Sequence, residues 1–216
     1  MSRNRQTSTL RRPPDEPSAL KDFPTESLRS DRPLYRVVKQ GNGPWWFGSS
    51  LEGRFDLPEP DGTCYLAADE LAALLELIAP DREGGAVSSE FLKIRLIREL
   101  RVPRTFFLSD FTARRASGFG ITAEIGTSTP YDLPQSWAAR LHQAGSNGVV
   151  YWLRHDPSRT EGFALFDLHG ERAEWDGGRE RHISAELIER LTEECGIEVL
   201  DVPRASELKI IDGKAS

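Results

Sequence analysis

The sequence predicts an α+β fold, a compact mixed sheet with flanking helices. Short runs of β-branched and aromatic residues alternate with helix-like runs along the 216 residues, but these strand-like runs are short and the loops between them are long. A doubly wound parallel sheet, which needs regular β-α repeats, is therefore not expected. Hydrophobic residues make up 38% and charged residues 29% of the chain, so one sizeable core can form.

Composition excludes several classes of protein and partner. No apolar run approaches the ~20 residues that a membrane helix needs, and the N-terminus lacks the apolar segment of a secretory signal. Two cysteines, Cys64 and Cys195, are too few for a disulfide framework, so we expect a reduced, cytoplasmic setting. The net charge of −6 disfavours direct binding of nucleic acid. We expect neither a membrane nor a nucleic acid as partner.

The first 33 residues are predicted to form a disordered tail. They contain five prolines, few large apolar side chains, and seven Lys or Arg against five Asp or Glu, which gives +2. Such a stretch buries too little apolar surface to offset its ordering entropy. We expect one domain over residues 34–203 and a loose C-terminal tail over 204–216. The alternative is that the first 33 residues form a short partner-binding arm.

The first half of the domain is predicted to contain two strands and one helix. Residues 34–38 and 64–67 are strand-like because they are β-branched, aromatic or apolar. Asp69 is placed to cap a helix that runs to about Ala79, and Pro80 would end it. Apolar residues recur on one face of this helix: Leu71, Leu74, Leu75 and Ile78.

Residues 88–109 are ambiguous because residues 91–100 fit a helix, while alternate apolar positions from Leu92 to Leu96 also fit a strand. We predict a helix there, followed by strands around Arg101 and over residues 106–108.

The second half of the domain is predicted to alternate helices and strands. A helix is expected over residues 134–144, then strands over 149–153 and 163–168. Ser184 is placed to cap another helix, with Gly196 as its C-terminal stop and a last strand over 197–200.

Common catalytic and cofactor motifs are absent from the sequence. None of the four histidines has metal-ligand spacing to another histidine or to a cysteine pair, so no metal site is expected. There is no phosphate-binding GxxxxGK[ST] loop and no GxSxG nucleophile motif. Residues 118–123 match GxGxxA, but they follow a polar helix-like stretch and not a strand, so we treat this match as chance.

Glu76 is a candidate site residue because it is the only charged residue between Leu71 and Ala79. It sits about 140° from the apolar face of the helix, taking 100° per residue. One interpretation is a carboxylate on the solvated side. The other is a carboxylate aimed into a cleft, with room left by the small side chains of Ala72 and Ala73.

Two arginines and several aromatic residues precede this helix. Arg36 lies in an apolar strand and Arg54 lies beside Phe55, and each either pairs with a carboxylate or binds an anion. Most of the early aromatic residues belong to a core, while one or two are able to stack on a nucleotide ring. These features favour a phosphate-bearing ligand.

The order of several segments resembles the RES domain, a bacterial family named for a conserved Arg, Glu and Ser. The segments are Leu-Tyr-Arg-Val at 34–37, Gly-Arg-Phe-Asp at 53–56, Gly-Thr-Cys-Tyr-Leu-Ala at 62–67 and Ala-Leu-Leu-Glu at 73–76. Residues 135–138 and 148–157 resemble the C-terminal half of the family. The resemblance therefore covers about residues 34–170.

The resemblance implies a fold similar to ADP-ribosyltransferase toxins and an enzyme that degrades NAD. Such an enzyme cleaves the nicotinamide–ribose bond by phosphorolysis or hydrolysis, with NAD as substrate, inorganic phosphate as a co-substrate and no further cofactor. It also implies the toxin of a toxin–antitoxin pair with an Xre-type antitoxin as partner, and we expect a homodimer. The alternatives are a non-catalytic domain that binds a nucleotide or a partner, and an ADP-ribosyltransferase.

The resemblance also assigns residues to a site. Arg36, Arg54 and Glu76 match family motifs and are the expected catalytic residues. Tyr65 matches a family tyrosine and is expected to bind substrate, as are Phe55 and Arg154.

One position departs from the family pattern. Leu153 stands where the family serine is expected, and leucine neither donates nor accepts a hydrogen bond. Either Ser128 or Ser136 supplies the hydroxyl, or ligand binding is altered, or activity is lost.

Overall fold

An eight-stranded mixed sheet lies at the centre of the computed structural model, which describes residues 9–79 and 85–201. The strands are β1 (Thr25–Leu28), β2 (Leu34–Lys39), β3 (Trp46–Phe47), β4 (Asp61–Ala67), β5 (Ala86–Ser88), β6 (Arg95–Leu100), β7 (Phe106–Asp110), β8 (Gly148–Trp152), β9 (Glu161–Leu168), β10 (Gly170–Glu171), β11 (Arg179–His182) and β12 (Glu198–Leu200). The helices are α1 (Glu70–Ile78), α2 (Ser89–Lys93), α3 (Asp132–Gln143) and α4 (Ala185–Cys195).

The order of strands in this sheet is β1-β7-β8-β9-β4-β2-β6-β11, and neighbours are antiparallel except β7 and β8. Two small pairs, β3 with β10 and β5 with β12, lie outside it. The predicted mixed sheet with flanking helices is confirmed.

The two faces of the sheet carry different cores because side chains alternate along each strand. On β8, Val149 and Tyr151 pack with residues of α1 and α3, while Val150 packs into the opposite core with Trp45 and Phe47. A third cluster joins α1 and α4 on the same face as α3, since Tyr35 and Val37 of β2 pack against both clusters. The cavity described below lies on this helix-covered face.

Local capping begins α1 and α4 and ends α4 as predicted. The Asp69 carboxylate accepts hydrogen bonds from the backbone N–H groups of Leu71 and Ala72, at 2.9 and 3.1 Å, and so begins α1. Ser184 begins α4, and Gly196 ends it with a left-handed φ of 65°. No helix within the described residues is long and apolar enough to cross a membrane.

The prediction for residues 91–100 is wrong. The helix α2 ends at Lys93, and residues 95–100 form β6, which pairs with β2 along six residue pairs and with β11 on its other side. Both partners are distant in sequence, so the interaction that decides between helix and strand is invisible in the local pattern. The strand expected around Arg101 ends before it, at Leu100.

The prediction of a disordered tail is wrong for residues 9–33. Leu10, Leu20, Phe23 and Leu28 are buried, and β1 joins the sheet beside β7. The segment has few apolar residues, but those few pack into a core that other elements supply. A prediction from the composition of the segment alone therefore misses that it is folded. The predictions for residues 1–8, for Pro80 and for the tail after 201 lie outside the described residues.

We predict that Phe23→Ala lowers the free energy of unfolding by about 3–5 kcal/mol, the usual cost of emptying a buried phenylalanine site. The Phe23 ring packs against the rings of Phe111, Phe119 and Trp137. Urea unfolding measures the change. Phe107→Ala is the control because that side chain is 59% exposed, and equal losses in both variants would contradict a folded N-terminal segment.

Candidate active site

A cavity of about 330 Å³ opens on the helix-covered face of the sheet, bounded by α1, by strands β2, β4 and β8, and by the residue preceding α3. All four tyrosines of the chain line it: Tyr35, Tyr65, Tyr131 and Tyr151. Glu76, Arg54 and Arg154 also line it. The cavity therefore combines aromatic surfaces with charges of both signs, which suits a ligand that carries rings and anionic groups.

Glu76 is half-buried in the cavity wall, as the cleft interpretation of the sequence expected. Its Oε1 accepts a hydrogen bond of 2.6 Å from the backbone N–H of His155. Burial raises the pKa of Glu76, and the His155 N–H and the charges of Arg54 and Arg154 partly oppose this rise. A carboxylate so placed is shielded from water and faces the space that a ligand would fill.

Arg54 is held in place by neutral groups. Its side chain donates a 2.6 Å hydrogen bond to the carbonyl oxygen of Ser128, and its guanidinium carbon lies 4.7 Å from the centre of the Tyr131 ring. Burial lowers the pKa of Arg54. No carboxylate in the described part of the chain forms an ion pair with Arg54 or Arg154, so both charges are available to an anion.

A hydrogen-bonded loop positions Arg54. The Tyr65 hydroxyl donates to Asp56 Oδ1 and accepts from the backbone N–H of Phe55, both at 2.8 Å. Asp56 also accepts from the N–H of Gly53 at 2.9 Å. Glycine is required at position 53 because a Cβ there would lie 2.3 Å from Asp56 Oδ1. From α3, Gln135 donates to the Gly53 carbonyl at 2.8 Å, so the loop is fixed from two sides.

Three predicted substrate-binding residues do not line the cavity. Phe55 is fully buried behind it, where its ring packs against Tyr151 with centroids 4.7 Å apart. Ser128 contributes its carbonyl oxygen to Arg54, while its hydroxyl is buried without a partner among the described residues. The Ser136 hydroxyl donates to the carbonyl of Leu133 within α3. Neither predicted serine therefore supplies a hydroxyl to the cavity.

Arg36 is in the cavity wall, but its guanidinium is used elsewhere. It donates to the carbonyl of Pro44 and to Cys64 Sγ, the latter at 3.1 Å. Cys64 packs into the core on the opposite face of the sheet from Tyr65. The charged end of Arg36 is thus directed away from Glu76 and Arg54.

The structure brings four of the predicted residues together at this cavity: Glu76, Arg54, Tyr65 and Arg154. The Tyr65 hydroxyl is bonded to the loop that carries Arg54. Leu153 also lines the cavity and is 6% exposed. Sequence reasoning missed Tyr35, Tyr131 and Tyr151. Tyr35 and Tyr151 lie within segments that carry the family resemblance, so that resemblance was an available signal, whereas Tyr131 lies in none of them.

Within the described residues there is no group of histidine, cysteine, aspartate and glutamate that could hold a metal ion.

Comparison with known proteins gives a family and a fold. The family model described as the RES domain matches residues 33–182, which confirms the resemblance inferred from the sequence. A chain in the crystal structure of the M. tuberculosis MbcT–MbcA toxin–antitoxin complex is similar in fold, with a TM-score of 0.59 and 14% identity. The alignment covers 76% of this chain and 91% of that chain. No curated protein matches the sequence at a significant level.

We predict that Tyr65→Phe lowers the free energy of unfolding by about 1–3 kcal/mol, because it leaves the Phe55 N–H without its acceptor and removes a donor from Asp56. Urea unfolding measures this loss. The matched control is Tyr35→Phe, since the Tyr35 hydroxyl makes no hydrogen bond within the described residues. A Tyr65→Phe protein as stable as the control would show that the loop does not depend on this hydroxyl.

Proposed function

The chain belongs to the RES domain family, and from this premise we propose that it degrades NAD by cleaving the bond between nicotinamide and ribose. The observation that carries the proposal is the carboxylate of Glu76, which shares one sheltered cavity with the unpaired charges of Arg54 and Arg154. A dinucleotide presents a cationic ring beside a ribose at one end and a pyrophosphate in the middle. The cavity offers the complementary charges for both.

The carboxylate suits the chemistry of the bond that breaks. When the positively charged nicotinamide leaves, it takes the bonding electrons as a neutral molecule, and positive charge develops on the ribose in an oxocarbenium-like transition state. A fixed carboxylate stabilises that charge most strongly where water is excluded. Glu76 suits this role because half-burial partly shields it from water and the His155 N–H holds its orientation.

The two cavity arginines suit the phosphate groups. Arg54 is rigidly held, and Arg154 is exposed at the cavity wall, so together they offer a fixed and an adaptable guanidinium to the pyrophosphate. In phosphorolysis they would also hold the incoming phosphate. We assign Arg36 a structural role, since its guanidinium bonds to Pro44 and Cys64 on the other face of the sheet.

The acceptor, water or phosphate, is found by incubating the chain with NAD, with and without inorganic phosphate, and measuring nicotinamide by chromatography. Release in both conditions indicates hydrolysis. Release only with phosphate, with a phosphorylated ADP-ribose product, indicates phosphorolysis.

Leu153 favours a second candidate, a non-catalytic domain that binds a nucleotide, because the cavity lacks the expected serine hydroxyl at that place. Tight NAD binding without release of nicotinamide from folded protein would select this candidate.

An antitoxin is the proposed protein partner, and we propose a homodimer for the free chain. The likeness in fold to a chain from a toxin–antitoxin complex supports the first idea, and the Xre type comes from the family resemblance. Size-exclusion chromatography with light scattering measures the mass of the free chain and of its mixture with the product of an adjacent Xre-type gene. A monomer that forms no complex would contradict both.

We predict that Glu76→Gln lowers kcat/KM for NAD by about 100- to 1000-fold, since an amide cannot neutralise the developing positive charge. The Gln carbonyl oxygen still accepts the His155 N–H, so the melting temperature should not fall. Glu189→Gln, on the exposed side of α4, is the matched control and should keep full activity. Loss of folding or unchanged turnover in Glu76→Gln would refute the assignment.

We predict an acid limb in the pH profile of kcat/KM that lies above pH 4.5. Burial raises the pKa of Glu76 from 4.5, and only the carboxylate form is active, so activity falls as pH drops through that raised pKa. The Arg154 charge lowers this pKa. Arg154→Gln should therefore move the limb to higher pH, and a limb that stays in place or moves down would contradict this electrostatic account.

A further inference from the structure

Tyr151 and Leu153 point to the same space. They are two residues apart, and side chains along an extended segment alternate between two sides, so both fall on the helix-covered face of the sheet. Both belong to one core cluster, and both line the cavity. A hydroxyl carried at position 151 is therefore on the same side of the chain as the serine hydroxyl that the family resemblance places at position 153.

The ring of Tyr151 is closely confined. Gly162 pairs with it across the β8–β9 ladder, and a Cβ at this glycine would lie 2.8 Å from Tyr151 Cζ and 2.4 Å from Leu153 Cδ2. The Phe55 ring packs against another side, with centroids 4.7 Å apart. These contacts hold the phenol in one position, so a ligand meets its hydroxyl without a large entropic cost.

The hydroxyl of Tyr151 makes no hydrogen bond within the described residues, although the side chain is only 7% exposed. The Tyr65 hydroxyl, in the same cavity, both donates to Asp56 and accepts from Phe55. Tyr151 lines the cavity, so its unbonded hydroxyl is open to a ligand there. A ligand in the cavity would provide the missing partner.

The charged side chains that affect Tyr151 are the ones that the proposed reaction uses. Burial raises its pKa, the carboxylate of Glu76 raises it further, and the Arg54 guanidinium opposes the rise. The phenol therefore keeps its proton at neutral pH and offers both a donor and an acceptor. Glu76 and Arg54 are the two residues that the proposed NAD cleavage uses for the ribose and the pyrophosphate.

On the premise of the proposed NAD cleavage, we propose that the Tyr151 hydroxyl hydrogen-bonds a ribose hydroxyl of the nicotinamide riboside. It thereby takes the place of the serine hydroxyl expected at position 153. The ligand group is the vicinal diol of a ribose beside the scissile bond, and Tyr151 binds and orients it beside Glu76. In this arrangement Leu153 supplies an apolar wall, and its lack of a hydroxyl leaves catalysis intact.

The test combines Tyr151→Phe with substitutions of Leu153. Tyr151→Phe should lower kcat/KM for NAD by about 10- to 100-fold, the equivalent of one strong hydrogen bond, while the melting temperature does not fall. Adding Leu153→Ser to this variant should restore activity at least 10-fold. The matched control adds Leu153→Ala, which opens similar space without a hydroxyl and should restore nothing.

Three results would overturn the proposal: full activity in Tyr151→Phe, no rescue by serine, or equal rescue by alanine. If the unaltered chain releases no nicotinamide, the proposed reaction fails, and calorimetric titration with NAD decides the question of contact separately. A dissociation constant raised at least tenfold by Tyr151→Phe would then support the contact. Equal binding by both proteins, or no binding by the unaltered chain, would overturn it.

Discussion

The hydrogen bond between the Tyr65 hydroxyl and the Asp56 carboxylate is the constraint on which the candidate site depends. Tyr65 lies on β4, which pairs with β9 along seven residue pairs in the middle of the sheet, so its hydroxyl is a fixed point. Through Asp56 and the Phe55 N–H, that point holds a loop of otherwise irregular backbone. Arg54 projects from this loop between Gly53 and Phe55, whose backbone N–H groups are both hydrogen-bonded. Its charge is therefore positioned by the sheet, although no strand carries it.

The cavity keeps opposite charges in one enclosure without allowing them to neutralise each other. Glu76 uses one oxygen on a backbone N–H, and Arg54 uses one nitrogen on a carbonyl and its flat face on the Tyr131 ring. These neutral contacts fix direction while leaving net charge on each group. A direct ion pair would have to be broken by any ligand that uses both charges. The arrangement thus favours binding of a partner that is itself dipolar.

Features that the local sequence specifies could be predicted, whereas features that depend on long-range contacts could not. The helix α1 was predictable because Asp69 and an apolar stripe specify it within a few residues. The family resemblance assigned Glu76, Arg54 and Tyr65 to one site, and all three line the cavity. The strand β6 was not, because its pairing partners lie far along the chain. The direction of the Arg36 side chain could have been predicted. Side chains alternate along β2, so Arg36 points to the opposite face from Tyr35, which lines the cavity. Tyr151 was missed because its importance comes from an unpaired hydroxyl, which only three-dimensional contacts show.

The strand β1 shows that the folded domain extends beyond the N-terminal boundary of the family match. The family match starts at residue 33, yet β1 ends at Leu28 and covers the open side of β7. The residues of β1 before Leu28 are polar, whereas β7 carries Phe106, Phe107 and Leu108 in succession. A short polar edge is the usual protection of a sheet against pairing with other molecules. A chain shortened to the family boundary would expose an apolar strand with unpaired backbone groups, and this open edge would favour self-association.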